Sequence, residues 1–186
     1  MKDNVQAFIF LAEGFEEIEA ISVIDIIRRS EMKITTVSIT DKNIVTGSHN
    51  VSIVADKLFS ETDFSYGEIL ILPGGIPGSG NLNAHEGLKK LLKQYNAEGK
   101  KIAAICAAPS VLGGLHLLQG RKATIYPGFE DNLLGAIYVE DGVVKDDNII
   151  TGRGPAFALD FALSIISELK GQKKAEEIAM SILLKC

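Results

Sequence analysis

The chain has 186 residues, 46% hydrophobic and 23% charged, which fits one ordinary globular domain over residues 1–186 with a core that needs no staples. Its net charge of −5, with lysines paired only at Lys89-Lys90, Lys100-Lys101 and Lys173-Lys174, offers no basic surface, so no nucleic-acid partner is expected. No apolar run approaches the ~20 residues that span a bilayer, no signal-peptide pattern follows Met1, and two cysteines make no disulfide framework, so the expectation is no membrane partner and a cytoplasmic location.

Residues 5–11 are short and apolar except at Gln6, which predicts a buried strand. Residues 16–29 read as a helix, with Ile18, Ile21, Ile24 and Ile27 at helical spacing. Residues 33–39 alternate as a strand does. Two β-rich pieces, 44–46 and 51–54, flank Gly47-Ser48-His49-Asn50 and predict a hairpin. Residues 68–72 form another buried strand, ended by Pro73-Gly74-Gly75. Gly78-Ser79-Gly80 reads as loop, because its spacing fits neither a phosphate loop nor a dinucleotide fingerprint. A helix is predicted over 86–98, a strand over 101–105 and a helix over 109–118. Strands follow at 123–125, 136–139 and 148–151, and helices over 156–169 and 174–184 close the chain. This alternation predicts an α/β fold with a mostly parallel sheet and helices on both faces. Ligands of such sheets sit outside the carboxyl ends of the strands. That rule points to residues 11–14, to 73–75 and to Cys106-Ala107.

Cys106 ends a strand, and a helix begins within two or three residues. Ala104, Ala107 and Ala108 are small, as a tight strand-to-helix turn requires, and the stretch resembles a nucleophile elbow. Helix N–H groups and the helix dipole there favour a thiolate, lowering its pKa from about 8.5. The alternative is a small buried hydrophobe. Gly74 and Gly75, with the amide of Ala107, can present an oxyanion hole, or they can be plain loop. Glu16 and Glu17 suit the first turn of a helix. Glu19 lies between Ile18 and Ala20-Ile21. It is either another such residue or a carboxylate turned toward the sheet, where desolvation raises its pKa and fits it for proton exchange. His49, His85 and His116 show no metal spacing, so no metal is expected. His116 reads as a core residue, and Cys186 as incidental.

Taken in order, residues 11–19 (Leu-Ala-Glu-Gly-Phe-Glu-Glu-Ile-Glu), 71–75 (Ile-Leu-Pro-Gly-Gly), 103–109 (Ala-Ala-Ile-Cys-Ala-Ala-Pro) and 151–155 (Thr-Gly-Arg-Gly-Pro) resemble the ThiJ/PfpI superfamily, in its DJ-one-type subgroup. The match covers nearly the whole chain. The resemblance implies a flavodoxin-like fold and a homodimer. It implies that Cys106 is a nucleophilic, easily oxidised cysteine and that Glu19 is a protonated glutamate bonded to its sulfur. Gly74, Gly75 and Ala107 match the surrounding backbone donors, and Glu16, Arg29, His49, Tyr126 and Arg153 are expected as pocket residues. Two residues depart from the pattern. Tyr126-Pro127 stands where relatives often carry His-Pro, and a phenol with pKa about 10 is a poor base but a hydrogen-bond donor. His49 stands near where some relatives place an arginine that crosses the dimer. Ala107 follows the cysteine where peptidase-like branches carry His or Gly, so peptidase activity is not expected. The implied activity is a cofactor-independent glyoxalase or deglycase acting on methylglyoxal, glyoxal or their early adducts. The alternative is a redox-responsive stress protein or chaperone whose Cys106 is oxidised to the sulfinic acid.

Overall fold

The computed structural model describes residues 6–184; Val5 and Cys186 lie outside the described residues. The elements in chain order are β1 (Gln6–Leu11), α1 (Glu17–Arg29), β2 (Lys33–Ser38), β3 (Ile44–Thr46), β4 (Ser52–Val54), β5 (Lys57–Leu58), β6 (Ile69–Leu72), α2 (Gly78–Ala84), α3 (Glu86–Ala97), β7 (Lys101–Ile105), α4 (Pro109–Gly114), β8 (Lys122–Ala123), β9 (Ile137–Tyr138), β10 (Val143–Asp146), β11 (Ile149–Gly152), α5 (Ala158–Lys170) and α6 (Gln172–Ser181). β1 is buried at every position, so its sequence shows no alternation. Its side chains still divide by the pleat. Ala7, Ile9 and Leu11 enter one core layer with α1, α5 and α6. Phe8 and Phe10 enter the other with α2, α3 and α4.

Seven strands form the main sheet in the order β10-β11-β7-β6-β1-β2-β5. All pairings in it are parallel except β10 with β11. The inner five, taken in chain order, run second, first, third, fourth, fifth, which is the flavodoxin-like winding. The order reverses between β1 and β6. The chain leaves these two strands in opposite directions, so a crevice opens beyond their carboxyl ends.

Several expectations are corrected by tertiary contacts. The apolar stripe expected on α1 is rotated: Ala20, Val23, Ile24, Ile26 and Ile27 are buried with Glu19, while Ile18 and Ile21 are exposed. Gly78-Ser79-Gly80 is not loop but the first turn of α2. Its chain is held there by Gly78 N–H to Gly14 O at 3.1 Å and Ser79 N–H to Gly75 O at 2.9 Å. The helix after Cys106 is only six residues long and ends at Gly113-Gly114, which leaves His116 exposed in a turn at φ 58° rather than in the core. The strands expected at 123–125 and 136–139 shrink to β8 and β9, which pair with each other outside the main sheet. Both edge strands, β5 and β10, were unpredicted. The first is two residues long, and the second is a half-exposed edge, so neither carries a buried strand's apolar signal.

Candidate active site at the Cys106 elbow

The crevice beyond β1, β6 and β7 brings together Cys106, Glu19, Gly74, Gly75 and Ala107. Cys106 adopts φ 62°, a left-handed conformation that is costly for a residue with a Cβ. Hydrogen bonds over-determine it. Cys106 N–H donates to Gly152 O at 2.9 Å, Tyr126 N–H donates to Cys106 O at 3.0 Å, and Ala108 N–H closes onto Ile105 O at 3.0 Å. The turn therefore lifts Sγ off the end of β7 as a nucleophile elbow does. The residue is 9% exposed, so the sulfur is nearly enclosed but reachable.

Glu19 lies in the first turn of α1 and is fully buried. Its Oε2 accepts the Gly74 N–H at 2.7 Å. Its Oε1 is buried with no aligned hydrogen-bond partner, yet carboxyl and thiol lie close enough to act on each other directly. Burial pushes Glu19 up to about 7. The Gly74 amide and the thiol oppose this, and the charge of Glu16 adds to it. Burial likewise pushes the Cys106 thiol up to about 12. The negative charge of Glu19 and the bond to it add to the rise, while the N–H groups of Ala107 and Gly75 pull the other way. The expected lowering of the thiol pKa is thus overturned for the ionised pair. The helix behind Cys106 is short, and the nearest charge is negative. The repulsion vanishes once Glu19 holds the proton, so carboxyl and sulfur compete for one proton.

The backbone donors divide. Gly75 and Ala107 face the sulfur, whereas the Gly74 amide serves Glu19, so Gly74 is not a free oxyanion donor. Gly74 is instead required by space. A Cβ there would sit 2.6 Å from Cys106 Cβ, 2.8 Å from Glu19 Oε2 and 3.0 Å from Ile105 O. Gly74→Ala is therefore expected to cost about 1–3 kcal/mol of stability and to separate thiol from carboxyl. A thermal denaturation midpoint equal to that of the native chain would count against this packing. Gly75 has φ +98°, and a Cβ on it would strike Gly14 O, so neither backbone nor space admits a side chain.

The remaining predicted pocket residues are placed unevenly. Tyr126 flanks the elbow through its amide. Its ring is 44% exposed and packs edge-on against Phe129 at 6.4 Å. Arg153 follows Gly152, but its guanidinium is held by Glu140 at 2.5 Å. Arg29 is not brought to the site. It sits ten residues beyond Glu19 on α1, about 15 Å along the axis, and pairs with Asp25 at 2.7 Å. Glu16 donates its N–H to Gly74 O at 3.0 Å and turns its carboxylate toward His49. Glu17, read from sequence as an ordinary first-turn acid, is instead buried. Its carboxylate accepts the His49 N–H at 2.7 Å, the Val51 N–H at 3.3 Å and the His49 ring at 2.9 Å. Burial works against its ionisation, but the His49 side chain and these amides outweigh it and bring Glu17 down to about 2. His49 is raised in turn, chiefly by its bond to Glu17. No local signal could reveal this, because the partners lie 32 residues apart.

An open α/β sheet with a cysteine on the strand-to-helix elbow and a buried glutamate against it is the class that fold and site define. The chain matches the model of the DJ-1/PfpI family over residues 5–168 and belongs to that family. The solved structure of oxidized DJ-1 from Toxoplasma gondii superposes with a TM-score of 0.94 at 38% identity, covering 98% of this chain and 100% of that one. Protein DJ-1 homolog A of Arabidopsis thaliana is 36% identical over 94% of this chain, which spans only 45% of that longer protein. A protein of Pyrococcus abyssi named a deglycase is 30% identical over 81% of this chain and 91% of its own length.

Proposed function

We propose that the protein is a cofactor-independent glyoxalase or deglycase that uses Cys106 on methylglyoxal, glyoxal or their early adducts. The observation that carries this reading is the buried Glu19 carboxyl, pushed up to about 7 beside the elbow sulfur. A base that titrates near the operating pH is what proton transfer needs. Glu19 takes the thiol proton as Sγ adds to the aldehyde carbon of methylglyoxal, giving a hemithioacetal. The Gly75 and Ala107 amides face the oxygen that gains charge. Glu19 returns the thiol proton to that oxygen and, as a carboxylate again, takes the hydrogen of the former aldehyde carbon. It delivers this hydrogen to the neighbouring carbonyl carbon while the hydroxyl proton passes to the neighbouring oxygen, and the enzyme-bound thioester of lactate results. Water cleaves the thioester, releasing lactate and restoring the thiol. The relative named a deglycase supports this chemistry. Lactate formation from methylglyoxal without glutathione tests it, and no turnover by the native chain would sink it.

A second reading has its own support, the oxidized form in which the Toxoplasma relative was solved. Here Cys106 is a redox sensor, taken by peroxide to the sulfinic acid, with the Gly75 and Ala107 amides stabilising the anion. A mass gain confined to Cys106 under mild peroxide, in a chain without aldehyde turnover, favours this reading.

The homodimer belongs to the same proposal. Ile18, Ile21, Ile44, Val51 and Val54 are all exposed. Ile44 pairs with Val54 across the hairpin, and Val54 shares a cleft with Ile21. An exposed apolar face through Ile21, Val54 and Ile44 suits a second copy of the chain. Ile21→Lys is expected to turn a dimer into a monomer in sedimentation velocity; a native chain that is already monomeric would contradict this.

A further inference from the structure

We propose that Glu16, Glu17 and His49 form a binding site for a divalent transition-metal ion of the zinc type, separate from the Cys106 thiol. Glu16, Glu17 and His49 each offer one ligand atom, a carboxylate oxygen or an imidazole nitrogen, and the three atoms lie within 4.8 Å of one another. Nδ1 is 2.9 Å from Glu17 Oε2 and 3.6 Å from Glu16 Oε2. Ligand atoms about 2.0–2.2 Å from a tetrahedral ion stand roughly 3–3.5 Å apart, so small rotations would complete the set. In the single chain the His49 side chain is 70% exposed, beside the Ile18 and Val51 face proposed for the second copy.

The two carboxylates are built in rather than loose on the surface, at 12% and 9% side-chain exposure. Glu17 is anchored through Oε1 by the amides of His49 and Val51, which leaves its Oε2 facing the imidazole. The Ser48 hydroxyl lies 3.3 Å from each Oε2 and 3.1 Å from His49 Nδ1, and its single proton serves one carboxylate at a time. Glu16 and Glu17 open α1, where the helix end carries about half a positive charge. Two carboxylates outweigh it. One imidazole nitrogen with two carboxylate oxygens suits zinc and its neighbours, whereas calcium and magnesium want oxygen alone and more of it. Three protein ligands leave a fourth position for water. The spacing rules applied to the sequence could not find this set, since His49 reaches Glu17 across 32 residues.

The test must separate this site from the Cys106 thiol, which is itself a zinc ligand by type. Zinc is titrated against a chromophoric chelator into the full chain and into a Cys106→Ser/Cys186→Ser variant. The same variant is then given His49→Ala or Glu16→Gln. One zinc per chain is expected in the cysteine-free variant. Either further change is expected to weaken binding more than about tenfold, since losing even an outer partner costs about 10–100-fold. Cobalt in place of zinc should show visible bands without a sulfur charge-transfer band. Binding that disappears with the cysteines, or that survives His49→Ala at full strength, overturns the assignment and leaves Glu17 and His49 a plain ion pair.

Discussion

Replacing Cys106 by alanine is expected to reduce glutathione-independent lactate formation from methylglyoxal to background, a loss of about 10³-fold or more. In the proposed mechanism the covalent steps all run through Sγ, and nothing else at the elbow can form the hemithioacetal. The glutamate, the Gly75 and Ala107 amides and the fold should survive the change, because alanine keeps the Cβ and its neighbours still define the turn. The relief of strain at φ 62° is no greater for alanine than for cysteine, so stability should change little. Circular dichroism and a chemical denaturation curve will separate lost chemistry from lost fold. Equal turnover by native and variant chains would rule out the thiol mechanism. No turnover by either would shift the weight to oxidation sensing.

The second large effect concerns Glu19, where function and stability should oppose each other. The folded chain holds this carboxyl at about 7, against 4.5 when unfolded. Between those values the folded state keeps a proton that the unfolded state has released. Stability therefore falls as pH rises through that window, and is fullest below 4.5. The penalty above pH 7 is about 3 kcal/mol, carried by a fully buried carboxylate. Glu19→Gln has no charge to bury and keeps an oxygen for the Gly74 N–H. It is expected to match the native chain near pH 4 and to exceed it by up to about 3 kcal/mol at pH 8. It should also lose about 10²–10⁴-fold in kcat, because an amide moves no proton. Urea denaturation of both chains at the two pH values checks the first part. A native-to-variant difference that is the same at both would mean that Glu19 titrates normally in the folded chain.

Much of the fold was legible in the sequence because its signals are local. Unbroken apolar runs bounded by glycine and proline mark strands covered on both faces, and β1, β6 and β7 fall where those runs lie. The small residues around Cys106 mark a tight elbow, and the left-handed backbone is there. The family resemblance rests on such short stretches in order, and the family match bears it out. The sequence also raised the question of Glu19 without answering it, since a carboxylate between Ile18 and Ala20 fits either face of a helix.

The tertiary structure alone decided which way that helix turns. The rotation of α1 buries Glu19 against Gly74 and leaves Ile18 and Ile21 outside, and helical spacing cannot choose between two apolar stripes. It decided that Gly74 serves the glutamate rather than an oxyanion, and that Arg29 and Arg153 are tied to Asp25 and Glu140. It set the sign of the thiol shift as well. That sign depends on burial and on a carboxylate 87 positions earlier in the chain, not on the residues next to the cysteine. Local sequence specifies strands and turns because backbone preference and periodicity are short-range. Charge, burial and partner choice are sums over whatever the fold brings near, and those neighbours come from distant segments.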